Sequence, residues 1–272
     1  MTMKKVVLVT GASAGIGKET ARFLANKGYT VYGAARRVEK MQDIKNAGVK
    51  VLQMDVTNDA SMVKGIEELV KAEGRIDVLI NNAGFGSYGT VEDVSMADAK
   101  YQMEVNVFGL ARLTQLVLPY MRKQHYGKVV NVTSIGGKIV TPLGGWYHAS
   151  KFAVEALSDA LRMEVRPFGI DVIVIEPGGV KSEWSGIAGE NMKKVSGNTV
   201  YKDFANKAAA LFEQFEPKGA EPSVIAELIL KSITAKSPKT RYHAGFMAGP
   251  ILFMRKVLSD KLFDKMMLSQ LK

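Results

Sequence analysis

Thr10-Gly11-Ala12-Ser13-Ala14-Gly15-Ile16-Gly17 is the stretch that decides the fold. The apolar run Val6-Val7-Leu8-Val9 before it reads as a buried strand. The segment after it, Glu19 to Lys27, carries apolar residues at helical spacing and stops at Gly28. A strand, a three-glycine turn and a helix together make an anion site. The glycines allow the backbone to approach a pyrophosphate, and the helix N-terminus offers unpaired N–H groups and the positive end of its dipole. The spacing is G-x-x-x-G-x-G rather than the G-x-G-x-x-G of the general dinucleotide fingerprint.

Outward from this turn the chain alternates strand and helix. Strands are predicted at 29–35, 49–55, 77–81, 128–134 and 170–175, with helices at 61–73, 97–121 and 147–166. Apolar strands between helices predict an α/β fold with a doubly wound parallel sheet covered on both faces, in one domain spanning 1–272. After Pro177 the rhythm breaks. Residues 178–219 read as a long irregular segment with apolar islands at Trp184, Ile187, Met192, Tyr201 and Phe204, the pattern of a substrate lid. A helix at 223–236 and a short strand near 241–245 follow. Residues 250–272 form a helical extension, with one helix over 251–268 whose wide apolar surface suits core packing, a subunit contact or a membrane surface.

Composition removes several classes of function. The 272 residues include no cysteine and three histidines, widely spaced at 125, 148 and 243. That excludes disulfides and thiolate chemistry and argues against a metal site. No apolar run is long enough to span a membrane, and Met1 to Lys5 leads straight into the first strand, so a cytoplasmic protein is expected. The net charge is +10, and seven Lys/Arg against two Asp lie between Pro238 and Lys272. Without an aromatic-interleaved basic patch this reads as a solvated basic surface rather than a nucleic-acid site; peripheral membrane contact is the lesser alternative.

Two groups of residues carry chemistry. At the end of the second strand, where a carboxylate commonly grips a ribose 2′-hydroxyl, the sequence is Ala34-Ala35-Arg36-Arg37. A guanidinium there suits a 2′-phosphate, so the expected cofactor is NADP. Asp55, with Val56 beside it, either receives the adenine amino group or caps the strand–loop junction. The second group is Tyr147-His148-Ala149-Ser150-Lys151. Tyr147 and Lys151 share a helix face, and an ammonium near a phenol is expected to lower its pKa and make it an acid–base group. Ser134, at the end of the preceding strand, is placed to hold a substrate oxygen. His148 points about 100° away from Tyr147 on a helix and reads as an incidental neighbour.

Taken together these motifs resemble the short-chain dehydrogenase/reductase family, over about Lys5 to Ala248. The family's TGxxxGxG turn matches Thr10–Gly17, its NNAG matches Asn81-Asn82-Ala83-Gly84, and its YxxxK matches Tyr147–Lys151. The resemblance implies Asn106, Ser134, Tyr147 and Lys151 as catalytic residues, with Asn106 holding a water. It implies cofactor contacts at Gly11, Ser13, Gly15, Ile16, Gly17, Arg36, Asp55, Val56, Asn82, Ala83, Gly84, Tyr147 and Lys151. It adds Pro177, Gly178 and Val180 beside the nicotinamide, and Ser182 where the family usually has threonine. It also implies a Rossmann fold of about seven strands and a homodimer or homotetramer. Arg36, the 178–219 segment and the extended C-terminus are similar to NADP-linked hydroxysteroid and retinol dehydrogenase-like members. The expectation is an NADPH-dependent reductase of ketones or aldehydes with a hydrophobic body; the alternative is a catalytically silent NADP-binding sensor or scaffold.

Overall fold

Every residue of β1 (Val6–Thr10), β4 (Val78–Asn81) and β5 (Gly127–Val132) is buried in the computed structural model, which describes residues 4–271. Met1–Met3 and Lys272, the last cation of the basic tail, lie outside the described residues. Strands buried on both faces must be apolar throughout, which is why they read as unbroken runs rather than alternating ones. With β2 (Thr30–Ala35), β3 (Lys50–Gln53), β6 (Ile170–Pro177) and β7 (Arg241–Ala244) they form one parallel sheet in the order β3-β2-β1-β4-β5-β6-β7.

Alternate residues of the same strand feed opposite cores. Val7 and Val9 of β1 join Ile80, Val130 and Ile173 in a core that also buries Leu24 of α1 (Gly15–Asn26) and Ile225 and Ile229 of α9 (Pro222–Thr234). Val6 and Leu8 join Leu79, Val129 and Val172 on the other face. There they meet Leu69 of α3 (Asp59–Glu73) and Leu113 and Val117 of α5 (Gly109–Gln124). The strand order reverses between β1 and β4. Crossovers leave in opposite directions from that point, which opens a crevice at the carboxyl ends of the strands.

Several boundaries differ from the sequence reading, each for a local reason. The helix expected over 97–121 is α4 (Met96–Met103) and α5 joined by a π-helical turn at Glu104–Phe108, which contains Asn106. One added residue in such a turn breaks the 3.6 period without ending the helix. Short α2 (Gln42–Asn46) went unread between β2 and β3. The segment 178–219 is not irregular. It holds α7 (Glu183–Ser196) and α8 (Lys202–Phe215), which pack on each other through Ala188, Met192, Ala205, Ala208 and Ala209. Alanines leave almost no hydrophobic periodicity to read, yet they bury completely against a neighbouring helix. The single helix expected at 251–268 is two, α10 (Ala248–Val257) and α11 (Asp260–Ser269), separated by extended backbone at Leu258 and Ser259. No helix among the described residues is long and apolar enough to cross a membrane.

Candidate active site

A cleft of about 570 Å³ opens at the carboxyl ends of β1, β2, β4, β5 and β6, inside the size range of small-molecule and cofactor sites. One end is walled by the glycine turn. Gly11 (φ +67°) and Gly15 (φ +53°) adopt left-handed backbone that a side chain would resist. Gly17 is required by space instead: a Cβ there would lie 2.3 Å from Asn82 Nδ2 and 2.5 Å from the Gly11 carbonyl. The first turn of α1 has no acidic residue, and Ala14 at its N-cap provides no side-chain hydrogen bond. Its leading N–H groups are therefore left to accept an anion from the cleft, as a pyrophosphate site requires. Arg36, Asp55 and Val56 line the adjoining end. Exposed Arg36 donates from Nη1 to the Tyr101 hydroxyl at 2.8 Å, which aims a guanidinium along the cleft rim. Asp55 accepts from Thr57 N at 2.9 Å and Thr57 Oγ1 at 2.8 Å, so it caps the strand–loop junction while also lining the cleft.

The NNAG motif divides into two kinds of residue. Asn82 is a brace: its Nδ2 donates to Thr10 O at 3.0 Å, while Thr10 Oγ1 receives the N–H groups of Asn82 and Ala83, each at 3.0 Å. Ala83 and Gly84 present backbone to the cleft. Asn106 is likewise engaged on all sides. Its Oδ1 accepts from Phe85 N at 3.0 Å, and its Nδ2 donates to Phe85 O and Ser150 Oγ, both at 2.9 Å. The side chain ties the loop after β4 to α6 (Gly145–Val165).

Ser134, Tyr147, Lys151 and Pro177–Val180 all line the opposite end of the cleft. Ser134 Oγ accepts from Gly136 N at 2.9 Å, which orients the hydroxyl, and donates to Pro177 O at a long 3.4 Å. Lys151, one turn after Tyr147, holds its ammonium 3.1 Å from Val132 O and 5.9 Å from the centre of the Tyr147 ring. His148 is buried and braces the loop in front of α6. Its Nε2 accepts from Thr141 N at 3.0 Å, which leaves Nδ1 to donate to Gly136 O at 2.9 Å. Ser182 caps α7, with Trp184 N donating to its Oγ at 3.3 Å.

Electrostatics at this end run against one expectation. Burial pushes the Tyr147 phenol up to about 12, and the Ser134 hydroxyl beside it offsets only part of that. Burial also lowers Lys151 to about 8, against an upward pull from Glu155. Desolvation is the first cause of both shifts. The tyrosine is a protonated donor at neutral pH.

An aromatic cluster surrounds that donor. The Tyr147 ring lies 5.5 Å from Tyr88 and 5.4 Å from Trp184, and Phe212 of α8 is 5.5 Å from Tyr88 and 5.9 Å from Trp184. Leu143, buried in the same cluster, is held at φ +64°, costly for a branched side chain, with Gly89 N donating to its carbonyl at 2.8 Å. Tyr88 and Phe212 escaped the sequence reading. Tyr88 follows the NNAG motif by four residues, a spacing that could have marked it; Phe212 sits on a helix read as loop.

Comparison with known proteins agrees with this geometry. The model of the short chain dehydrogenase family matches residues 5–193. A protein of Bacteroides thetaiotaomicron named 3-ketodihydrosphingosine reductase is 39% identical over 243 residues, covering 89% of this chain and 88% of its own. The crystal structure of a short-chain dehydrogenase from Streptomyces avermitilis superposes with a TM-score of 0.82 at 32% identity, over 92% of each chain. An alcohol dehydrogenase from Thermococcus sibiricus, solved with 5-hydroxy-NADP, matches 89% of this chain and 97% of its own with a TM-score of 0.73 at 25% identity. Solved proteins of this fold hold either NADP or NAD. The chain belongs to the short-chain dehydrogenase/reductase family, oxidoreductases that work between alcohol and carbonyl groups with a nicotinamide cofactor.

Proposed function

We propose that this protein is an NADPH-dependent reductase of ketones or aldehydes that carry a hydrophobic body, reversible as an alcohol dehydrogenase. The observation that carries the reading is the indole of Trp184, which lines the cleft against Tyr147 with buried Tyr88 and half-buried Phe212 packed behind it. That indole gives an apolar substrate a contact surface beside the proton donor. The Bacteroides relative is named for reduction of a long-chain ketone, a substrate of this chemical kind. Exposed Arg36 and the lack of any carboxylate at Ala34–Arg37 favour the 2′-phosphate of NADP.

When bound, the nicotinamide supplies the hydride to the carbonyl carbon. Ser134 orients and polarises the substrate oxygen through a hydroxyl fixed by Gly136 N. Tyr147 donates its proton to that oxygen, a task suited to a phenol held protonated by burial. Lys151 supplies the adjacent positive charge that steadies the phenolate left behind. Asn106 acts by fixing Phe85 and Ser150 around this end of the cleft. Gly11, Ser13, Gly15 and Ile16 form the pyrophosphate cradle, which Gly17, buried behind it, lets close against Asn82, with Asp55 and Val56 at the adenine and Val180 and Ser182 near the nicotinamide.

Helices α7 and α8 serve as the substrate lid, since Trp184 and Ile187 of α7 line the cleft. The enzyme works as a homodimer or homotetramer, for which exposed Phe108, Phe152, Leu157 and Met163 provide apolar surface. The test is NADPH consumption over long-chain ketones, steroids, retinoids and small aldehydes. Turnover concentrated on the apolar-bodied carbonyls is the expected result. Saturable NADPH binding with no turnover across that panel would favour the silent alternative.

A further inference from the structure

Behind the wall that carries Ser134 and Lys151 lies a cluster of buried charge that the chemistry above does not use. Glu155 sits on α6 one turn after Lys151, on the same helix face, and is 3% exposed. Its Oε1 accepts from Thr133 Oγ1 at 2.7 Å, and Thr133 immediately precedes Ser134. Its Oε2 lies 2.9 Å from Lys138 Nζ, in the turn after Ser134, and 2.9 Å from Arg241 Nε at the start of β7. Arg241 Nη2 continues to Asp159 Oδ2 at 2.7 Å. From β6 comes Glu176, also buried, whose Oε1 has no hydrogen bond and stands 3.5 Å from Arg241 Nε.

A carboxylate this far from water is expensive to keep, and apolar residues of similar volume would pack as well. Lys138 and Arg241 offset that cost, so the charge alone marks no role. Beyond those pairs it lies one helical turn from buried Lys151 and bonds directly to the residue before Ser134. We propose that Glu155 is a positioning residue of this site: from the next turn of α6 its carboxylate supports the Lys151 ammonium and, through Thr133, fixes the strand end that carries Ser134. This rests on the reading of Lys151 and Ser134 as working residues. The charged groups around Glu155 are Lys151 and Asp159 on α6, Lys138 after β5, Glu176 on β6 and Arg241 on β7. Burial pushes Glu176 up to about 7, with Glu155 adding to the rise, so below neutral pH Glu176 is mostly protonated and Arg241 is left to Glu155 and Asp159. Burial alone drives the Lys151 ammonium towards its neutral form, and Glu155 is the group that opposes it.

The test is a pH titration of the full-length, cofactor-free protein labelled with ¹³Cε-lysine, with the Lys151 signal identified by its loss in Lys151→Arg. In Glu155→Gln the Lys151 midpoint falls by about one pH unit, a roughly tenfold smaller charged-to-neutral ratio at fixed pH. A folded Glu155→Gln protein whose Lys151 midpoint stays in place overturns the proposal. Should that variant not fold, Glu155→Asp keeps the charge but withdraws it; a smaller fall supports the role, and no shift contradicts it. Because the titration needs neither cofactor nor substrate, its failure is distinct from a failure of the proposed carbonyl chemistry.

Discussion

The indole of Trp184 lies 5.4 Å, centroid to centroid, from the phenol ring of Tyr147, and it comes from the first turn of α7 rather than from the sheet that holds the cofactor cleft. Helix α7 thus reaches the Tyr147 ring directly, with Ser182 at its N-cap only 3.5 Å from where a Cβ on Gly15 would lie. One short stretch connects the pyrophosphate turn to the Trp184 indole.

Trp184→Ala removes an indole that contacts Tyr147, Tyr88 and Phe212. At about 1 kcal/mol for an aromatic contact beyond its area, KM for an apolar-bodied ketone rises roughly fivefold while KM for NADPH holds. Steady-state kinetics over ketones of graded size check this; an unchanged KM for the largest would show that the indole does not contact substrate.

Arg36→Ala withdraws an exposed guanidinium from the cleft rim and leaves the Tyr101 hydroxyl without it. A charge-assisted bond to a 2′-phosphate contributes about 1.5–3 kcal/mol, so kcat/KM for NADPH drops by roughly tenfold or more while that for NADH is unaffected. Equal efficiency with both cofactors in wild type would remove the basis for NADP.

Gly17→Ala forces a methyl group within 2.3 Å of Asn82 Nδ2 and 2.5 Å of the Gly11 carbonyl. Because one of those neighbours is backbone, the turn must shift, at about 1–3 kcal/mol of stability. Thermal unfolding shows the lowered Tm, and fluorescence titration shows weakened NADPH binding.

Glu176 carries the clearest pH signature. Its carboxyl is raised from 4.5 to about 7 in the folded protein, so the native state binds the extra proton between those values. Its contribution to stability is fully present below about pH 4.5 and is lost as pH rises through about 7. Glu176→Gln cannot titrate, so the difference in denaturation midpoint between wild type and variant changes steadily across that window, in the direction of wild type losing ground. A constant difference would place Glu176 outside the coupling.

Much of this molecule was legible in its residues. The Thr10–Gly17 turn, the unbroken apolar strands and the Tyr147–Lys151 spacing are local patterns dictated by local physics, and each lies where it was expected. What escaped notice depends on partners distant in sequence. The α7–α8 pair is built on alanines that mean nothing until two helices face each other. The fall of Lys151 and rise of Tyr147 follow from burial, which no spacing rule measures. Asn106 bonds through its side-chain amide to Phe85 and Ser150, a pairing made by a π-helical turn that periodicity hides.

The most direct test of the central claim is the rate of NADPH oxidation with a long-chain ketone by wild type and by Tyr147→Phe. Loss of the donating hydroxyl is expected to lower kcat by about 10²–10⁴-fold, with NADPH affinity retained. Turnover in Tyr147→Phe equal to that of wild type would contradict the account.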